Sequence, residues 1–302
     1  MKRNEPDKSQ RIIVIVGPTA SGKSKLAIEI ARKFNGEIIS ADSRQIYKHL
    51  NIGTEKITKK EMKGVRHYLI DVADPRKNYT AAQYQKSGKK IIAQIFAKNK
   101  TPIIAGGTGF YIDALIYGYK LPAVAPQNKL RKQLEQKSLE KLFAQLEKLD
   151  PERAKNIDRK NKVRLVRALE IVLITGKPIP KITKQSPYQV LKIGIKKSPN
   201  ELRQLINQRL EKTLKKGLLN ETEKLHGKGL KWKRFEQLGL EYRLAANYLR
   251  GAISYEQMVE QMKTEIYRYA KRQLTWFKKD KNIIWIKTPR KAFSISRDWL
   301  GL

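Results

Sequence analysis

The octapeptide "GPTASGKS" (17–24) constrains this chain more than any other stretch. It follows an apolar run, "RIIVIV" (11–16), and leads into a helical pattern, "KSKLAIEIARKF" (23–34). The segment fits G-x-x-x-x-G-K-[ST], a loop whose backbone N–H groups converge on a phosphate where a strand hands over to a helix. Gly17 and Gly22 let the backbone curl, and Pro18, Thr19, Ala20 and Ser21 complete the cradle. Lys23 supplies a point charge, and Ser24 can reach a phosphate-bound Mg²⁺.

A strand–loop–helix unit needs neighbours of the same kind. Further strand candidates are "EIIS" (37–40), "HYLID" (67–71), "TPIIAG" (101–106), "LKIGIK" (191–196) and "NIIWIK" (282–287). The helical pattern "AAQYQKSGKKIIAQIFAKN" (81–99) falls between two of them, so the chain reads as βαβ units with a parallel sheet. After "YGYKLPAVAP" the pattern changes to helices only, including "SLEKLFAQLEKL" and "NKVRLVRALEIVLITG", which stops at Gly176. The expected architecture is α/β: a P-loop parallel-sheet core flanked by helices, with an inserted all-helical domain. Its parts are 1–120, the insertion 121–189, and 190–302 with the C-terminal helices and a last strand.

The 302 residues carry 65 Lys and Arg against 28 Asp and Glu, a net charge of +37. The excess is spread along the chain, and a polyanion is the natural partner, because each neutralised backbone phosphate releases counterions. Lys-rich solvated surface is the plainer alternative. No run approaches the about 18 apolar residues of a membrane span. "MKRNEPDKSQ" lacks the apolar core of a secretory leader. The absence of cysteine excludes disulfides and thiolate metal sites and fits a reducing cytoplasm.

Loops of this form usually hold ATP or GTP, and a hydrolase would add an apolar strand ending in Asp; "HYLID", which ends in Asp71, is the candidate. "TPIIAG" runs instead into Gly107 and Thr108. In "EIISADSRQIY" Asp42 and Ser43 fall at the carboxyl end of a strand, the edge where open α/β sheets bind ligands. Asp42 suits a general base there, or it caps a helix. Thr108 in "GGTGFY" faces substrate or caps the next helix. "YRYAKRQLTWFKKD" interleaves Lys271, Arg272, Lys278 and Lys279 with Tyr269, Trp276 and Phe277, a pattern for phosphate contact and base stacking, or a solvated cationic face. His49, His67 and His226 have no ligand spacing and read as structural.

Six segments, in order, resemble the tRNA dimethylallyltransferase family: "GPTASGKS", "ADSRQIYKHLNIGTEK", "GGTGFYIDALIYG", "RLVRALEI" with "TGKPI", "GLEYR" and "AKRQLTWFKKD". With no cysteine, the chain resembles the short bacterial form without a zinc-finger tail. The resemblance implies that residues 17–24 hold the diphosphate of dimethylallyl diphosphate, with Mg²⁺ through Ser24, and that no ATP is spent. It makes Asp42, Thr108 and Lys23 catalytic and puts Arg209 beside the diphosphate. It implies tRNA contacts for Asp42, Ser43, Arg44, Gln45, Thr108, Arg131, the stretch Val163, Arg164, Leu165, Val166 and Arg167, then Arg243, Lys271, Arg272, Gln273, Thr275, Trp276 and Lys278. The partners implied are the tRNA anticodon stem-loop and dimethylallyl diphosphate, for a cytoplasmic enzyme, monomeric by default. The competing readings are a P-loop kinase or NTPase acting on a metabolite or RNA, and a non-catalytic RNA-binding protein.

Overall fold

The computed structural model describes residues 10–181 and 183–302. The polar first nine residues, in which no leader was read, lie outside the described residues. Six strands form one sheet: β1 (Arg11–Val16), β2 (Gly36–Ser40), β3 (His67–Tyr68), β4 (Thr101–Gly106), β5 (Gln189–Ile195) and β6 (Ile283–Ile286), in the order β3-β2-β4-β1-β5-β6. Every pairing is parallel.

The central strand is apolar throughout because both its faces are covered. Ile12, Val14 and Val16 point into one core, while Ile13 and Ile15 point into another, the period of two that a strand imposes. Side chains of this size contribute about 1.5–3 kcal/mol each when fully buried. Helix α1 (Lys23–Lys33) covers the second face. On the first face lie α2 (Ala81–Phe96) and α3 (Gly109–Tyr117).

The edge strand is shorter than the run "HYLID" predicts. Only His67 and Tyr68 pair with β2, since Leu69 and Asp71 adopt left-handed φ values of 60° and 57° and turn the chain away.

Residues Tyr119–Lys184 form a compact unit of their own, a few residues offset from the expected 121–189. The reason lies in β5, whose first residue, Gln189, pairs with Arg11 of the sheet. The unit contains α4 (Asn128–Glu135), α5 (Leu139–Leu149), α6 (Pro151–Asn156) and α7 (Lys162–Thr175) around Leu142, Leu146, Leu165 and Leu169. Helix α7 ends where Gly176 takes φ 64° and donates its N–H to the Val172 carbonyl, the left-handed cap that favours glycine.

The other unit, completed by residues from 185 onward, adds α8 (Pro199–Lys215), α9 (Leu218–Gly227), α10 (Trp232–Leu238), α11 (Leu240–Leu249), α12 (Tyr255–Lys278) and α13 (Pro289–Leu300). The long α12 starts with a capping box between Ser254 and Gln257 and lays Met258, Met262, Ile266, Ala270 and Phe277 on the first core. Helix α13 covers the same face as α1.

Candidate active site

The phosphate loop joins β1 to α1. Gly22 closes it at φ 88° and Ala20 adopts φ 62°. The Lys23 ammonium folds back and donates to the Pro18 carbonyl at 3.1 Å. Lost hydration around that ammonium, and then the Arg209 guanidinium, pull its pKa down to about 8, against the opposing fields of Asp42 and Glu55. Ser24 stands exposed at the first turn of α1. Arg209, on α8, donates from Nη1 to Thr19 Oγ1 at 2.5 Å and pairs through Nε with Glu55 at 2.6 Å. Arg209 therefore lies against the loop itself.

At the end of β2, Asp42 Oδ1 accepts the N–H groups of Arg44 (2.8 Å) and Gln45 (3.3 Å). This is an aspartate turn, and no helix begins there, so the helix-cap reading of Asp42 is corrected. Its Oδ2 makes no hydrogen bond among the described residues. The Ser43 N–H donates to Thr108 Oγ1 at 3.1 Å, and the Thr108 N–H to the Ala41 carbonyl at 3.0 Å. Thr108 precedes α3, yet its hydroxyl makes no cap bond; it ties the ends of β2 and β4 together instead. Beside it lies the Tyr269 hydroxyl, whose pKa burial pushes up.

Glycines let α12 close on this edge. A Cβ on Gly107 would lie 2.0 Å from Gln273 Nε2, and one on Gly109 would lie 2.3 Å from the Trp276 ring. The Gln273 side chain accepts the Thr19 N–H at 2.8 Å and donates to the Gly107 carbonyl at 2.9 Å. With 6% of it exposed, Gln273 is a strut rather than the tRNA contact expected of it. Lys271, Arg272, Thr275, Trp276 and Lys278 are exposed on the same helix. Trp276 Nε1 donates to Asp113 Oδ2 at 3.0 Å, with the Phe110 ring edge-on to it.

Thr19, Lys23, Ser24, Asp42, Gln45 and Arg209 all line one cavity of about 650 Å³, within the usual size of a small-ligand site. Tyr269, Gln273 and Glu55 also line it. Phosphate donors and a carboxylate acceptor therefore open on the same space.

Other expected residues are engaged elsewhere. Arg44 donates to the Gln237 carbonyl at 2.6 Å, and Arg243 pairs with Glu265. Within the helical unit, Arg131 and Arg167 both bind the buried Glu170 carboxylate. Leu165 and Val166 are core residues, which corrects the expectation that they touch tRNA. Val163, 79% exposed, and Arg164 remain on its surface.

The Asp71 reading also fails. Asp71 follows edge strand β3 and binds Lys56 at 2.6 Å, while β1 lies between β4 and β5, neither of which ends in a carboxylate. Among the described residues no cluster of three or more His, Cys, Asp or Glu could hold a metal. A Mg²⁺ here would draw on Ser24, phosphate oxygens and water, a ligand set that magnesium accepts readily. The Ser24 hydroxyl at the loop fits that role.

Sequence reasoning missed Glu221 and Tyr242. Glu221 accepts the N–H groups of Asn51 (2.7 Å) and Ile52 (2.5 Å); the Tyr242 hydroxyl accepts that of Gly53 (3.2 Å) and donates to Glu221 (2.6 Å). They hold "NIGTEK" against the site. In "GLEYR", where the resemblance implies a contact for Arg243, Tyr242 is the residue that makes this one.

The sequence profile of the IPP transferase family matches residues 45–280. The chain is 43% identical over 284 residues to a tRNA dimethylallyltransferase of Acetivibrio thermocellus, covering 91% of each chain. The chain belongs to the IPP transferase family. Its fold resembles the full-length tRNA isopentenylpyrophosphate transferase of Bacillus halodurans, with TM-score 0.74, 33% identity and 97% of each chain covered. A eukaryotic dimethylallyltransferase captured acting on tRNA matches with TM-score 0.81 at 27% identity, over 97% of this chain and 80% of that one. Membership makes this chain a transferase enzyme and removes the support for the kinase and the non-catalytic readings.

Proposed function

We propose that the protein transfers the dimethylallyl group of dimethylallyl diphosphate to the exocyclic N6 of the adenosine 3′ to the anticodon of tRNA. The observation that carries this reading is the shared cavity, which Asp42 and the phosphate loop enter together.

In the reaction the N6 nitrogen forms a bond to the allylic C1 carbon as the C1–O bond to diphosphate breaks. The N6 proton passes to Asp42, held by the backbone with Oδ2 uncommitted, and diphosphate leaves with the bonding pair. Lys23, Arg209 and the loop amides stabilise the charge that builds on the leaving oxygen, the role preorganised donors perform best. Mg²⁺, bound through Ser24 and the diphosphate, would add further charge stabilisation. The target base must leave its stack to reach such a cavity. The net charge of +37 and the exposed cations of α12 support a tRNA partner. No described helix is long and apolar enough to cross a membrane. The reading has the protein working in the cytoplasm as a monomer.

The test is direct. Incubate unmodified tRNA with dimethylallyl diphosphate, Mg²⁺ and no ATP, digest the RNA, and measure isopentenyladenosine by mass spectrometry. Product from the wild type and almost none from Asp42→Ala is the expected result; no product from the wild type refutes the reading.

A further inference from the structure

Glu55 lines the cavity beside the cations Lys23 and Arg209, and it shares that wall with the carboxylates of Glu29, Asp42 and Glu61. Its backbone takes φ 45°, a conformation uncommon for a side-chain-bearing residue and kept only where surroundings enforce it. The enforcement is visible. Glu221 and Tyr242 pin residues 51–53, and Gln45 Nε2 donates to the carbonyls of Thr54 (3.1 Å) and Glu55 (3.2 Å).

The carboxylate so placed uses both oxygens. Oε1 accepts from the Thr213 hydroxyl at 2.8 Å, and Oε2 accepts from Arg209 Nε at 2.6 Å. Arg209 Nη1 is held on Thr19, whose N–H is held by Gln273. Fixing a guanidinium by its Nε edge leaves the Nη2 side of the fork to meet an anion in one orientation, at little further entropic cost. The line Asp42–Gln45–Glu55–Arg209–Thr19 thus joins the proton acceptor to the phosphate loop without a break.

We propose that Glu55 is the positioning residue that orients Arg209 for the diphosphate and so sets how tightly this site takes an allylic diphosphate. The proposal rests on reading the cavity as a dimethylallyl diphosphate site.

The experiment compares the full chain with Glu55→Ala, Glu55→Gln and Thr213→Val at saturating tRNA, varying dimethylallyl diphosphate. A freely swinging arginine should raise KM about tenfold in Glu55→Ala, with kcat within about twofold, since an oriented charged hydrogen bond is worth roughly that factor. Thr213→Val should raise KM less, in the same direction. Glu55→Gln keeps an acceptor for the Arg209 Nε–H and should recover much of the KM lost in Glu55→Ala, a rescue that mere local damage would not produce.

Titration calorimetry with inorganic pyrophosphate and Mg²⁺ supplies a readout independent of catalysis. Affinity should fall in Glu55→Ala even if the wild type prenylates no tRNA, an outcome that would defeat the functional reading while sparing this one. Unchanged KM and pyrophosphate affinity in a variant with wild-type circular dichroism would overturn the proposal. So would tighter binding, which would make Glu55 only a repulsive charge.

Discussion

Gln273 and Thr19 are 254 residues apart, and the Gln273 amide oxygen takes the Thr19 backbone N–H at 2.8 Å while its nitrogen serves the Gly107 carbonyl. One buried side chain therefore fixes the phosphate loop to the helix that exposes Lys271, Arg272 and Lys278. Gln273→Leu keeps the size and removes both bonds. Each stranded buried group costs about 1–3 kcal/mol, so thermal unfolding should shift clearly downward. Diphosphate KM should rise in the same variant, measured at a temperature where it remains folded.

Asp42 has two duties that substitutions separate. Asn keeps an acceptor for the Arg44 N–H but cannot take a proton. Asp42→Asn should therefore melt close to wild type while single-turnover prenylation slows about 10²- to 10⁴-fold, the usual worth of a positioned base. Asp42→Ala should lose the turn as well as the rate. Wild-type turnover by Asp42→Asn would remove the base assignment.

The legible part of this fold was the part governed by local pattern. β1 and β4 coincide with their apolar runs because strands buried on both faces cannot afford polar interruptions. "HYLID" misled because two left-handed residues end pairing after His67 and Tyr68, and no residue there is a glycine to announce them. The loop and Asp42 were legible because their chemistry lies in contiguous motifs. Gln273, Glu55 and Tyr242 were not, since each acts through a partner more than 150 residues away. A sequence shows such a residue only as one polar position on an amphipathic helix or in a turn. Arg131 and Arg167 looked like free cations for a different reason: Glu170 lies closer to both in sequence, three residues from Arg167, but a single acid in a basic helix does not show that it is buried.

Lys23 gives the reaction an alkaline limit. Its pKa lies near 8 rather than at the usual lysine value of 10.5, so the ammonium is present below that pH and lost above it. The kcat/KM profile reports the free enzyme and should bend downward near pH 8. Lys23→Arg keeps its charge at every accessible pH. Its activity should be lower overall and free of that limb, and a limb that persists would belong to another group.

The cations of α12 should show in the salt dependence of tRNA binding. Each neutralised phosphate adds slightly under one unit to the slope of log affinity against log salt. Lys271→Ala and Arg272→Ala should each flatten that slope by about one unit in filter-binding assays. Asp42→Asn should leave the slope unchanged. An undiminished slope in both α12 variants would return that face to plain solvated surface.

Glu170 makes the stability of the helical unit sensitive to acid. The carboxylate is fully buried and bound by Arg131 (2.7 Å), Arg167 (2.5 Å) and the Gln127 N–H (2.7 Å). Burial alone pushes its pKa up, but the bonds from Arg131, Gln127 and Arg167 outweigh that and bring it to about 2. A carboxyl with a folded pKa below its unfolded value binds fewer protons when folded. Its contribution is thus complete above about pH 4.5 and drains away as pH falls toward 2. Glu170→Gln keeps the shape but leaves two arginines unpaid by charge, and removing one member of a buried pair costs about 3–5 kcal/mol at full burial. Both arginines are about one-third exposed, so solvent should reduce the loss to about 2 kcal/mol. Urea melts at pH 7 should show that deficit, and it should shrink as the pH approaches 3. A deficit that stays constant with pH would mean that packing, not the charge on Glu170, holds this unit together.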